Sequence, residues 1–169
     1  RQNGRYCREF TQEIFIGGRV VPGKYPLSPN SFIIKKIGSN YSDATTKLAP
    51  EIKNAGMVTS AIFSDVDIDG WPDLLVTYEW GPVRFFYNDS GFLYDRTADV
   101  DMAERLGWFN SISGGDIDND GDIDFVLGNT GYNTKYKATA DNPEILFYGD
   151  FEENGDRHIV EAKYEKDVC

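Results

Sequence analysis

A nine-residue pattern, Asp-x-Asp-x-Asp-Gly-x-x-Asp, occurs twice in the chain and constrains it more than any other feature. It runs from Asp65 to Asp73 and again from Asp116 to Asp124. The first copy holds four aspartates and the second five. Two carboxylates about 4 Å apart repel by about 1 kcal/mol even in water, and by more near a protein surface. A folded chain that gathers so many therefore needs a counter-charge. The composition says how local the problem is. The formal charge is −11, from 17 Lys and Arg against 28 Asp and Glu, and without these nine aspartates it would be −2, 17 against 19.

The spacing suits a hard divalent cation. Positions 1, 3 and 5 alternate, so three carboxylates can share one side of a tight loop. Glycine at position 6, Gly70 and Gly121, allows the left-handed turn that folds the chain back. Position 7, Trp71 or Asp122, offers its carbonyl, and position 9, Asp73 or Asp124, a last carboxylate. Many oxygen ligands on a flexible loop suit Ca²⁺ better than Mg²⁺, which demands tight octahedral geometry. The bland alternative is a pair of solvated acidic turns. An EF-hand is excluded: its bidentate Glu would fall at Val76 and Leu127, and the following runs, 74–78 and 125–128, read as strands. A third stretch, Asp150 to His158, keeps Asp150, Glu152 and Asn154 at positions 1, 3 and 5 but closes on His158, a poor calcium ligand. It reads as a degenerate loop, and His158 as a surface strand residue.

The loops sit inside a longer repeat. Residues 56–76 align without gaps on 107–127 at an offset of 51, with seven identities in 21. A period near 50 points to stacked supersecondary units. From residue 57 the chain reads as strands 57–64, 73–80, 83–88 and 92–97, separated by the Asp loop, Gly81-Pro82 and Asp89-Ser90-Gly91. That is a four-stranded antiparallel meander, the form of a propeller blade. The next unit offers 108–115 and 124–129, a polar insertion at 130–142, then 144–149 and 157–164. Upstream, 13–18, 31–36 and 40–45 read as three strands of an earlier blade, and 5–13 lacks the Asp pattern. Stretches 46–55 and 98–106 are expected to hold one helical turn each. No amphipathic helix of α/β type is present. The expectation is an all-β chain of about two and a half β-propeller blades, with parts at 1–56, 57–106 and 107–169. Complete propellers have four to eight blades, so a piece of a longer chain is expected, with an assembly of copies or an open partial array as the alternatives.

The unit resembles the FG-GAP or VCBS repeat of integrin-α-like β-propellers. Segments 17–26 and 128–139 further resemble bacterial members found with ASPIC/UnbV-type regions. The resemblance implies Ca²⁺ held by Asp65, Asp67, Asp69, the Trp71 carbonyl and Asp73, and by Asp116, Asp118, Asp120, the Asp122 carbonyl and Asp124.

Three functions follow as expectations. The first is a calcium-stabilised module of a secreted, cell-surface or periplasmic protein that binds a protein or glycan, as in adhesion. The second is a glycan-active enzyme using acids such as Glu79, Asp95 or Glu144, although no pair stands at a telling spacing and no nucleophile elbow or phosphate loop occurs. The third is a structural or self-assembling repeat. A charge of −11 argues against nucleic acid, and no apolar run reaches the roughly 18 residues of a membrane span. Trp71, Trp80 and Trp108 read as packing between blades rather than a sugar platform. Asn40-Tyr41-Ser42 and Asn88-Asp89-Ser90 are glycosylation sequons. Cys7 and Cys169 either pair with each other or with segments beyond this sequence.

Overall fold

A computed structural model describes residues 13–131, 134–135, 137–139, 141–155 and 157–164. It divides into two compact units, Arg1–Asn129 and Thr130–Cys169. Both are built of antiparallel sheet. Cys7 and Cys169, and all of the 5–13 stretch except Glu13, lie outside the described residues.

The first unit opens with a three-stranded sheet, β1 (Glu13–Ile16), β2 (Phe32–Ile37) and β3 (Asn40–Asp43), in the order β1-β2-β3. A single helical turn, α1 (Thr45–Leu48), and a 3₁₀ turn, η1 (Pro50–Ile52), follow where a helical turn was expected. Next come β4 (Val58–Ser64), β5 (Asp73–Tyr78), the two-residue β6 (Gly81–Pro82), β7 (Arg84–Asp89) and β8 (Phe92–Asp95). Strands β4-β5-β7-β8 form one four-stranded antiparallel meander, the blade that the turn residues predict. Register is set by chemistry at the turns. Asp89 pairs with Phe92 across Ser90 and Gly91, both at positive φ (55° and 98°), as a two-residue type I′ hairpin requires.

After β8 a helical turn was expected over 98–106, and none forms. The chain instead makes successive hydrogen-bonded turns, with Asp99 N–H on Arg96 O, Asp101 N–H on Ala98 O and Met102 N–H on Thr97 O. Asp101 takes φ 54°, in the left-handed region, which ends any right-handed helical run. Strand β9 (Leu106–Gly107) then pairs with β6, and β10 (Phe109–Gly115) pairs with β11 (Asp124–Asn129). The register of β4 on β5 slips between Val58 and Ser60, and that of β10 on β11 between Phe109 and Ser111. These bulges sit 51 residues apart, so the repeat extends to the irregularities.

The main core lies between the first sheet and the four-stranded one. Ile33, Leu48, Ala49 and Ile52 pack with Val58, Leu74, Val76, Tyr78, Phe86 and Leu93. Every residue of β5 is buried, as its run Leu74-Leu75-Val76 predicts for a strand covered on both faces. Leu74 and Val76 face that core. Leu75 points the other way, toward the side where β10 lies against β4 and β5.

A second repeat is visible only in the hydrogen bonds. Asp43 accepts from the backbone N–H and hydroxyl of Thr45, and the Thr45 hydroxyl accepts from Ile33 N–H at 2.9 Å. Fifty-two residues on, Asp95 accepts from the N–H and hydroxyl of Thr97, and the Thr97 hydroxyl accepts from Phe85 N–H at 3.1 Å. The same Asp-x-Thr clamp closes the outer strand of both sheets. In each case the threonine hydroxyls hold Asp43 and Asp95 below the usual carboxylate range, at Asp95 against the upward push of burial.

The second unit contains one antiparallel hairpin among its described residues, β12 (Ile145–Gly149) and β13 (His158–Ala162), with Gly149 opposite His158. Lys135 pairs with Glu161 at 2.9 Å, fastening part of the polar 130–142 insertion to β13.

Candidate metal centres

Each Asp loop bridges two strands of one hairpin, β4 to β5 and β10 to β11. In the first, carboxylate oxygens of Asp65, Asp67 and Asp69 lie within 4.8 Å of one another. In the second, Asp116, Asp118 and Asp120 do the same. The loops hold this shape through their own backbone. Gly70 N–H donates to Asp65 Oδ2 at 2.9 Å and Trp71 N–H to Asp69 Oδ1 at 2.7 Å. The equivalents are Gly121 N–H on Asp116 Oδ2 at 3.2 Å and Asp122 N–H on Asp120 Oδ1 at 3.1 Å.

Two left-handed residues fold each loop. Position 6 is the expected glycine, at φ 88° and 99°. Position 4 is the finding that sequence reasoning missed: Ile68 stands at φ 60° and Asn119 at φ 63°. Asparagine tolerates that region, whereas a β-branched isoleucine is strained there by about 1–2 kcal/mol. Ile68 is 76% exposed, so it gains little packing in return.

The closing aspartates are placed differently from the triplets. Asp73 is fully buried, accepting from Val66 N–H at 3.1 Å and from Asn88 N–H at 2.8 Å. Burial pushes its pKa up, and the charges of Asp67 and Asp69 add to that push while the two N–H groups oppose it. Asp124 accepts from Ile117 N–H at 2.9 Å. In the second loop Asp122 is pushed up, chiefly by its hydrogen bond with Asp120, while Asp120 is held down, chiefly by Asp122 N–H. Among the described residues no ion pair involves a loop aspartate. Gathered hard oxygens, crowded and without a protein cation, are a donor set that fits Ca²⁺.

The third stretch keeps the same backbone. Glu153 at position 4 has φ 56° and Gly155 at position 6 has φ 91°. Gly155 N–H donates to Asp150 Oδ2 at 2.7 Å, which holds Asp150 below the usual range. The Asn154 amide donates to Glu152 at 3.1 Å, so two of the oxygen suppliers bind each other. His158 begins β13, exposed, as a strand residue. Asp156 lies outside the described residues.

Two of the three carboxylates named as candidate catalysts, Glu79 and Asp95, are held in structural contacts. Glu79, 4% exposed, pairs with Arg19 and accepts from the Tyr25 hydroxyl at 2.7 Å. Burial, with that bond to Glu79, pushes Tyr25 up to about 12. The Tyr25 oxygen in turn accepts from Trp80 Nε1 at 2.6 Å, and Trp80 stands 5.2 Å from Trp108, ring centre to ring centre. Those two tryptophans pack on each other, whereas Trp71, expected to share their role, sits in the first Asp loop. Asp95 pairs with Arg84 at the edge of a cleft of about 440 Å³ lined by Glu51, Pro82, Thr97, Ala98 and Ala103. Glu51 is tied to β8 by accepting from Asp95 N–H at 2.7 Å. Of the sequons, Asn40 is exposed on β3, whereas Asn88 is buried with its amide committed, which removes it as a glycosylation site in the folded chain.

Residues 65–127 match the family model of the FG-GAP-like repeat. The match runs from the first aspartate of one loop to Leu127, inside the strand after the other, so it takes in one 51-residue period of the internal repeat and both Asp loops. No curated protein and no solved structure matches the chain significantly. The chain thus carries an FG-GAP-like repeat, the building unit of a β-propeller module. Among the described residues no helix is long and apolar enough to cross a membrane.

Proposed function

We propose that this is a calcium-stabilised β-propeller repeat module of a secreted or surface protein, which presents loops to a protein or glycan partner. The observation that carries the reading is the duplicated triplet: three carboxylates within 4.8 Å at equivalent places in a matched FG-GAP-like repeat. Asp65, Asp67 and Asp69 hold one ion and Asp116, Asp118 and Asp120 the other, with Asp73, Asp124 and the carbonyls of Trp71 and Asp122 completing the loops. The third stretch, with Glu152 engaged by Asn154, is the weaker donor set. Calcium binding the folded loops and not the unfolded chain stabilises by RT ln(1 + [L]/Kd), about 2.7 kcal/mol at a hundredfold excess over Kd.

Extracellular modules bind calcium at about 10⁻⁴–10⁻³ M, which supports an environment with millimolar calcium. Segments 17–26 and 128–139 favour a bacterial protein of the ASPIC/UnbV-associated kind. The ion pairs of Glu79 and Asp95 support a packing role for these two side chains. Thermal melting tests the calcium reading. EDTA lowers the midpoint and excess Ca²⁺ restores it, by about 5–10 °C for each occupied site if each kcal/mol moves the midpoint by about 2–4 °C. A midpoint indifferent to both reagents overturns it.

A further inference from the structure

The closing aspartate of the first loop is wired to a hairpin turn fifteen residues on. Asp73 Oδ1 accepts from Asn88 N–H at 2.8 Å. The Asn88 side chain does two further things. Its amide donates to Pro72 O at 2.6 Å, fixing the carbonyl next to Asp73. Its Oδ1 accepts from Gly91 N–H at 2.8 Å, locking the β7–β8 turn. Asn88 is 3% exposed, so these bonds form away from water, where losing a partner costs most. The turn also reaches the loop from outside: the Trp71 ring lies at ordinary contact distance from where a side chain on Gly91 would stand.

In the second loop Asp124 keeps the loop-side bond, from Ile117 N–H.

We infer that Asn88 is a positioning residue for the first cation site: its N–H holds Asp73, and its side chain holds Pro72 and the β7–β8 turn, before the ion arrives. The inference rests on the calcium reading above. Groups that orient a metal's ligands typically contribute 10- to 100-fold in affinity. The β7–β8 turn is thus part of the site although it supplies no ligand.

Terbium, a calcium-sized luminescent cation, reads the first loop selectively because Trp71 lies within it. The full chain is titrated with terbium under tryptophan excitation, with Trp71→Phe as the optical control, and calcium binding at both loops is followed by equilibrium dialysis. Asn88→Ala, which keeps the backbone N–H to Asp73 and removes the side-chain bonds to Pro72 and Gly91, is expected to weaken the first site at least tenfold and leave the second unchanged. Asn88→Asp, which keeps an acceptor for Gly91 N–H and loses the donor to Pro72, serves if the alanine variant does not fold. Circular dichroism of the metal-free protein establishes that either variant is folded. Unchanged affinity at the first loop, or equal loss at both, overturns the inference while the calcium reading stands. Absence of any terbium or calcium binding by the wild-type chain instead removes the calcium reading and this inference with it.

Discussion

Strands β5 and β11 are the same strand twice, 51 residues apart, yet they live in different surroundings. Each follows an Asp loop and begins at its closing aspartate. Every residue of β5 is buried, whereas no residue of β11 is. Leu75 is 4% exposed and its equivalent, Val126, 57%. The sequences differ in the same sense: Leu74-Leu75-Val76-Thr77-Tyr78 against Phe125-Val126-Leu127-Gly128-Asn129. At Thr77 a hydroxyl bridges to Thr59 and Ser60, while at Gly128 the Ser111 hydroxyl occupies the space a side chain would need. A repeat can thus preserve loop chemistry while its strands specialise for what lies against them. The first loop stands on a strand buried along its whole length, and the second on a strand with no fully buried residue.

The strongest way to break this contrast is to truncate the two equivalent side chains. Leu75→Ala should cost about 2–5 kcal/mol, the range for buried leucines, and Val126→Ala no more than about 0.5 kcal/mol, as for exposed sites. Urea unfolding with the calcium concentration held constant reads both, and equal losses would mean that β11 is as well covered as β5. A smaller change of opposite sign concerns position 4 of the loops. Replacing Ile68 by Asn, the residue the second loop carries there, should stabilise the metal-free chain by about 1 kcal/mol by relieving a left-handed β-branched residue. Destabilisation would show that the isoleucine gains more from contacts than it loses in strain.

The smallest effect expected is electrostatic. Thr97 and Arg84 hold Asp95 below its unfolded value, so its contribution is fully present above about pH 4. It fades as pH falls through the folded pKa. Exposure limits this to under about 1 kcal/mol. The acid limb of a stability–pH curve should be shallower in Asp95→Asn, and an unchanged limb would place the acid sensitivity elsewhere.

Much of this was legible in the sequence because it is local. The Asp loops, the strands around them and the Ser90-Gly91 turn each follow from residues within a few positions. Strand ends fell within one or two residues of the expected bounds, as at Asp73–Tyr78 against 73–80. What stayed hidden depends on distance or on backbone. Nothing in isoleucine announces a left-handed residue at position 68. Glu79 looked like a candidate acid until its partner Arg19, sixty residues upstream, was placed beside it. Asn88 read as a sequon, and its role emerges only when β7 lies beside β5. The helical turn missed at 98–106 was lost to a single left-handed residue, Asp101. The Asp-x-Thr clamps at 43–45 and 95–97 were in plain view, but three residues spaced by 52 carry weight only once both are seen to make the same bonds.

The central claim is that the two aspartate triplets are separate calcium sites. Its most direct test is the number of calcium ions bound per chain at millimolar free Ca²⁺, measured by equilibrium dialysis for the wild type and for two loop variants. The account predicts two ions for the wild type. It predicts one after Asp65→Ala with Asp67→Ala, and one after Asp116→Ala with Asp118→Ala. A wild-type chain that binds none, or a count that neither pair of substitutions lowers, would contradict it.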